Sequence, residues 1–249
     1  RSFHADDAAA DEAVIQPRRG RREAPVPARL LMTFTRTDFQ EITAGRPDTA
    51  ARRHILDCPL QEITWQETTI GVTGPAPGAP YAVMVLEKLI ALGARTIIAL
   101  GWCGSLRREA VIGDLILPEA AYSEEGTSGH YPGAQIESKP DEGLCQTLRT
   151  HLLAAEIRVT NGKIWTTDAL YRETRGKVAA YGSRGLLAVD MEMSALFNVA
   201  SYRGVALAGL LVVSDELFTL TWRHGLREER FHRARRQAMT TALDVLAGH

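Results

Sequence analysis

The sequence predicts an α/β protein, a three-layer α/β/α arrangement around a central mixed, mostly parallel sheet. Three observations predict it. Short apolar runs of strand length alternate along the chain with stretches whose apolar residues recur at helical spacing. The longest run, VALAGLLVV (Val205 to Val213), is apolar throughout, as expected of a central strand buried on both faces. At 249 residues, 45% hydrophobic and 24% charged, the chain can fill the core of one large domain. The strand–helix–strand rhythm also demands crossover connections, which place helices over both faces of the sheet.

Residues 1–27 form a polar arm ending in QPRRGRREAPVP, whose basic cluster and prolines suit the surface; residues 28–249 form the single domain. Its first strand is RLLMTF (Arg29 to Phe34), and a helix follows from Thr37, with Thr37-Asp38 as its cap. EITWQETTIGVTG (Glu62 to Gly74) reads as a strand hairpin, and GPAPGAP (Gly74 to Pro80) as a loop. Ala82, Val85, Leu86, Leu89 and Ile90 share one face of a helix over Tyr81 to Leu92, which Gly93 stops. Next come the strand RTIIAL (Arg95 to Leu100), a tight turn GWCGSL (Gly101 to Leu106), and the strand VIGDLILP (Val111 to Pro118). A long polar loop (Ser123 to Asp141), a helix (Glu142 to Ala155) and the strand RVTNGKIWTT (Arg158 to Thr167) follow. Val189, Met193, Leu196, Phe197 and Ala200 fall at helical spacing up to Gly204. After VALAGLLVV, a helix from about Arg227 closes the chain.

Composition removes several functions. With 29 basic and 30 acidic residues the formal net charge is −1, so no field draws in nucleic acid or an acidic membrane. No apolar run approaches the roughly 20 residues that span a bilayer. RSFHADDAAADEAV lacks the apolar core of a secretion signal, which gives the expectation of a cytoplasmic protein. Cys58, Cys103 and Cys145 are widely spaced and unpaired by pattern, and the histidines lack ligand spacing. No disulfide framework, metal or cofactor is expected.

In open α/β sheets ligands bind beyond the carboxyl ends of strands. Three such ends carry unusual residues: GWCG, Asp168-Ala-Leu-Tyr171, and Ser214-Asp215-Glu216. Asp215 ends a long apolar strand, where desolvation raises a carboxyl pKa and lets it carry a proton. The plainer alternative is a helix cap in SDEL. Glu192 stands in the polar cluster Asp190-Met191-Glu192 that opens an otherwise apolar helix. It is either an acceptor for two vicinal sugar hydroxyls or a charge paired with Arg172 or Arg175.

Four ordered segments, GARTIIALGWCGSL, GDLILPEAAYSEEGTS, GKIWTTDALYRE and VDMEMSALFNVASYRGVALAGLLVVSDEL, resemble the nucleoside phosphorylase family of purine nucleoside and uridine phosphorylases. The resemblance runs from Arg29 to the carboxyl terminus. It implies a phosphorylase/hydrolase-like fold, cleavage of the N-glycosidic bond of a nucleoside (a purine by preference), and transfer of the pentosyl group to inorganic phosphate. Met191 and Glu192 then hold the ribose, and Asp215 protonates or hydrogen-bonds the departing base. The base lies near Trp165, Thr167, Asp168 and Tyr171. His4 matches a histidine that in some relatives reaches a neighbouring subunit's ribose, and a homo-oligomer of two, three or six chains is implied. Gly101, Trp102, Cys103, Gly104 and Arg36 mark the region of the nucleophile and phosphate. There the chain departs from the family pattern. TFTRTDF (Thr33 to Phe39) replaces a Gly-Asp-Pro-x-x-Arg turn, Ala99 stands where an arginine is usual, and Trp102 replaces a Ser or Thr. Two alternatives therefore stand beside the phosphorylase: a nucleosidase that uses water, and a non-catalytic nucleoside-binding or assembly protein on the same fold.

Overall fold

The computed structural model describes residues 13–46 and 53–248; His4 lies outside them. Of the polar arm, the described stretch returns onto the body, where Val26 is buried and its amide donates to the Leu92 carbonyl at 3.0 Å. Strand β1 (Arg29–Thr33) leads to helix α1 (Arg36–Thr43). Thr35, not Thr37, is the cap, its hydroxyl accepting from the Asp38 amide at 3.2 Å. Strands β2 (Arg53–Ile55), β3 (Cys58–Trp65) and β4 (Thr68–Thr73) form an antiparallel meander. Helix α2 (Ala79–Leu92) begins with Pro80 in its first turn, where the missing amide has no partner to lose, and stops at Gly93 with φ 123°.

Strand β5 (Thr96–Ser105) absorbs GWCGS, which is therefore no turn. Apolar continuity ended the expected strand at Leu100, yet cross-strand pairing carries it five residues further. Strand β6 (Leu115–Ser123) likewise runs later than VIGDLILP implies, and the polar stretch after it contains β7 (Glu137–Ser138). Helix α3 (Glu142–Ala154), capped by Asp141, and strand β8 (Val159–Thr166) fall where expected. Helix α4 (Arg175–Ser183) is an addition. Val189 belongs to strand β9 (Ala188–Asp190), and only from Met193 does helix α5 (Met193–Arg203) begin. Strand β10 (Ala206–Glu216), the short β11 (Arg223–His224) and helix α6 (Glu229–Ala247) complete the chain.

The sheet is mixed. Its long central pairings, β4–β1–β5–β10 and β6–β8–β9, are parallel, while β10–β6, β5–β9 and the outer pairs are antiparallel. Because β5 pairs with both β10 and β9, the strands β5, β10, β6, β8 and β9 close into a ring. Period-two alternation splits the core. Leu30 and Met32 of β1 and Leu211 and Val213 of β10 pack with α2 and α5; Leu31, Leu210 and Val212 pack with α1, α3 and α6. Helices thus cover both faces, and the functional candidates collect where the ring strands end.

Candidate active site

Asp215 is placed by an irregularity in the β5–β10 pairing. Val213 faces Cys103 and Asp215 faces Gly104, so Ser214 is the extra residue of a bulge. A bulge re-aims the side chain that follows it, and here that chain is the carboxyl. The Ser214 hydroxyl donates to Asp215 Oδ1 at 2.6 Å, and the Trp222 indole N–H donates to Oδ2 at 3.1 Å. Gly104 makes room: a Cβ there would stand 3.1 Å from Asp215 Oδ2. Burial pushes the Asp215 carboxyl above its usual range, and the hydrogen bonds from Ser214 and Trp222, with the His224 charge, only partly oppose it. No helix follows Asp215, since the strand continues to Glu216, so the cap reading of SDEL does not apply. Glu216 itself is held low by its contacts with Arg223, at 2.8 Å, and the Ile112 amide.

Glu192 opens α5 and is buried. It pairs with neither Arg172 nor Arg175. Instead its Oε1 accepts the Gly78 amide at 2.6 Å, across 114 residues of sequence. Gly78 has φ 83° and ψ 140°, a conformation that an L side chain resists, so a glycine is needed to present that amide. Asp190 fixes the start of the helix, Oδ2 accepting the amides of Glu192 at 2.9 Å and Met193 at 2.7 Å. Its Oδ1 accepts the Thr166 hydroxyl at 2.6 Å, and that hydroxyl accepts the Ser194 amide at 3.1 Å. Ser194 donates to Glu125, whose other oxygen holds the amides of Thr127 and Ser128. The ends of β8, β9 and α5 are thereby locked to the loop after β6. Burial raises both Asp190 and Glu192, and each Glu192 ionisation is further opposed by Asp190.

Glu173, at the end of the 3₁₀ turn Leu170–Arg172, has its carboxyl pushed up to about 8 by burial and by the charges of Asp215 and Asp190. The Cys103 thiol is also raised, first by burial and then by the same two carboxyls. Asp215 and Asp190 thus act on the same neighbours, and Asp190 acts on Glu192, so these groups form one electrostatic cluster. Among the described residues, no arginine or lysine forms an ion pair with Asp215, Asp190, Glu192 or Glu173.

The remaining sequence candidates separate. Thr167 is buried, its amide donating to the Asp190 carbonyl at 3.0 Å, and Met191 is half-buried beside Glu192. Asp168 is exposed and accepts the Gly126 amide at 2.8 Å. Trp165 is fully buried against Tyr181, with ring centroids 4.5 Å apart, and Tyr171 is 95% exposed. Within GWCG, Gly101 packs against Phe34 and Leu211, and Cys103 faces the acid cluster. Trp102 points to the other face, edge-on to Phe231 at 5.1 Å and beneath the Arg235 guanidinium. Arg36 is exposed at the start of α1. Near it Asp38 is buried in an ion pair with Arg235, whose Nη2 lies 2.6 Å and Nε 2.8 Å from Asp38 Oδ1. Gly78, Asp190, Glu125, Glu173 and Trp222 were not sequence candidates. Only the acids left a trace, as charged residues inside the motif segments.

A family model described as Phosphorylase superfamily matches residues 29–248. The chain is 27% identical over 154 residues to a guanosine phosphorylase of Halorubrum lacusprofundi, a match covering 62% of this chain and 64% of that protein, slightly under two thirds of its length. It is 28% identical over 158 residues to a purine nucleoside phosphorylase (DeoD-type) of Bacillus thuringiensis, covering 63% and 67%. In fold it is similar to the uridine phosphorylase of Vibrio fischeri, with TM-score 0.80 at 21% identity over 92% of this chain and all of that one. The same TM-score of 0.80, at 22% identity over 90% of this chain and 91% of that one, relates it to the Toxoplasma gondii purine nucleoside phosphorylase in complex with immucillin-H.

Proposed function

The chain belongs to the Phosphorylase superfamily, and from that premise we propose that it breaks the N-glycosidic bond of a purine nucleoside and passes the pentosyl group to inorganic phosphate. The observation that carries this reading is the cluster itself. A carboxyl raised by burial, Asp215 near the end of β10, and a buried glutamate, Glu192 just after β9, stand at the two strands that flank β5 in one closed ring. Asp215 in its neutral form donates a proton to a ring nitrogen of the departing base, which turns a poor leaving group into a good one. Glu192 has lone pairs to spare beyond its bond to Gly78 and accepts from the ribose hydroxyls, with Met191 against the sugar. As the bond loosens, positive charge grows on the ribose ring. Asp190, the less raised of the coupled pair with Glu192, keeps its negative charge beside the sugar-holding glutamate, so the site favours the transition state over the neutral substrate. The reading includes a cytoplasmic homo-oligomer with a nucleoside and phosphate as its only small-molecule partners; the three free cysteines suit a reducing compartment. Among the described residues, no helix is long and apolar enough to cross a membrane.

A second reading has one observation in its favour. Phosphate is held by cationic and amide donors, yet no arginine or lysine is paired with the cluster among the described residues, Arg36 is exposed, and Arg235 is committed to Asp38 and Glu41. Water as the nucleophile would turn the same site into a nucleosidase. Base release from inosine, guanosine, adenosine and uridine, with and without phosphate, separates the two for wild type and Asp215→Asn. Phosphate-dependent release yielding pentose 1-phosphate supports transfer, and release at equal rate without phosphate supports hydrolysis. Failure of the wild type to release any base removes both.

A further inference from the structure

We infer that Trp222 is a positioning residue of the base site: its indole face stacks on the purine while its N–H orients Asp215. This rests on the reading of Asp215 as the acid that meets the base. Trp222 is 65% exposed, although its N–H reaches Asp215 Oδ2 at 3.1 Å. An indole anchored by its edge to a half-buried carboxyl, backed by His224 and otherwise open to solvent, keeps a face free on the side where the base must come. A base bonded to the same carboxyl has to lie within about 3 Å of its oxygens, which brings two flat aromatic systems side by side. Such stacking tolerates any purine, because every base has a π-face.

The segment is built, not loose. Residues Glu216 to Arg223 form a hairpin in which β11 pairs with the end of β10, Asp215 facing His224 and Glu216 facing Arg223. Arg223 bridges Glu216 and Glu228, each at 2.8 Å, and the Leu220 amide donates to the Leu217 carbonyl at 2.7 Å. His224 backs the indole, with ring centroids 5.1 Å apart. The other aromatic side chains considered for the base do not reach Asp215: Trp102 packs on Phe231, Trp165 is enclosed beside Tyr181, and Tyr171 stands in solvent.

Trp222→Phe keeps a ring and loses the donor; Trp222→Ala loses both. Because the side chain is exposed, both variants should melt with the wild type. The groups that act on Asp215 are Ser214, Trp222 and His224 on its own hairpin, while Glu173 after β8 and Cys103 on β5 feel its charge. Removing the indole donor leaves burial less opposed, so the Asp215 pKa rises and the alkaline fall of kcat/KM moves to higher pH in Trp222→Phe. With inosine, Trp222→Ala raises KM about tenfold, the scale of one lost base stack, and Trp222→Phe changes it by no more than about twofold. The difference in intrinsic fluorescence between wild type and Trp222→Phe isolates this indole, and hypoxanthine should quench it. Quenching in a protein that turns over no nucleoside would sink the assigned reaction and keep the base contact. No quenching overturns the inference whether or not turnover is seen, and so does a lower KM in Trp222→Ala, which would make the indole a plug.

Discussion

Replacing Arg235 with methionine leaves the Asp38 carboxyl buried with no counter-charge. Asp38 is 1% exposed and Arg235 4%, and the pair is bound through two guanidinium nitrogens to one carboxylate oxygen. Breaking a buried pair from one side costs about 3–5 kcal/mol, since the stranded ion keeps its desolvation cost. In a chain of this size each kcal/mol moves Tm by about 2–4 °C, so the expected fall is about 6–20 °C. Its pH dependence has a definite sign. Burial already holds the Asp38 carboxyl above its usual range while Arg235 pulls it down. Without Arg235 the folded-state pKa rises further above the unfolded value. A group raised in this way contributes its stability below the unfolded pKa and loses it as pH climbs through the folded one. The deficit of Arg235→Met is therefore largest near neutrality and shrinks on acidification, when Asp38 takes up a proton. Thermal melts followed by circular dichroism from pH 5 to pH 8 measure it, with Asp38→Leu/Arg235→Met as the companion in which both charges are gone and the deficit is smaller. A shift below about 2 °C, or one of equal size at both ends of the range, would refute the reasoning. A raised KM for phosphate in folded Arg235→Met would instead move the pair from scaffold to site.

Two further outcomes follow from the same geometry. Gly78→Ala forces a side chain onto a backbone with φ 83° and should lower stability by about 1–3 kcal/mol; as the amide leaves Glu192, KM for a nucleoside rises more than kcat falls, which steady-state kinetics beside a melting curve can read. Glu173 is neutral in the folded protein up to about pH 8, so its contribution is present below the ordinary glutamate pKa and disappears as pH rises through 8. Glu173→Gln should flatten the decline of Tm between pH 5 and pH 9, and an unchanged slope would take Glu173 out of the acid cluster.

Local pattern made much of the fold legible. Helix α2 shows its apolar stripe and its stop at Gly93, and the Thr- and Ile-rich hairpin β3–β4 declares itself by composition. What local pattern lacked was pairing. GWCGS looks like a glycine turn but is held extended by β10 on one side and β9 on the other. Helix α4 buries only Val178 and so has no stripe to read. Val189 fits a helical period by coincidence, because the short β9 is as apolar as the helix after it. In the site, Asp215 was visible because an acid ending an apolar strand is conspicuous. The bulge that aims it depends on a register with β5 that no window of sequence contains. The amide of Gly78 and the indole of Trp222 reach their acids only through the tertiary fold, and neither residue type is unusual where it stands in the chain.

The claim on which all of this depends is that Asp215 and Glu192 serve the same reacting nucleoside from two ends. A double-mutant cycle on base release from inosine measures that directly, using Asp215→Asn, Glu192→Gln and both together. Groups that act on one transition state are strongly non-additive, so the double variant should lose far less kcat/KM than the product of the two single losses. Losses that simply multiply, or full activity in either single variant, would contradict it.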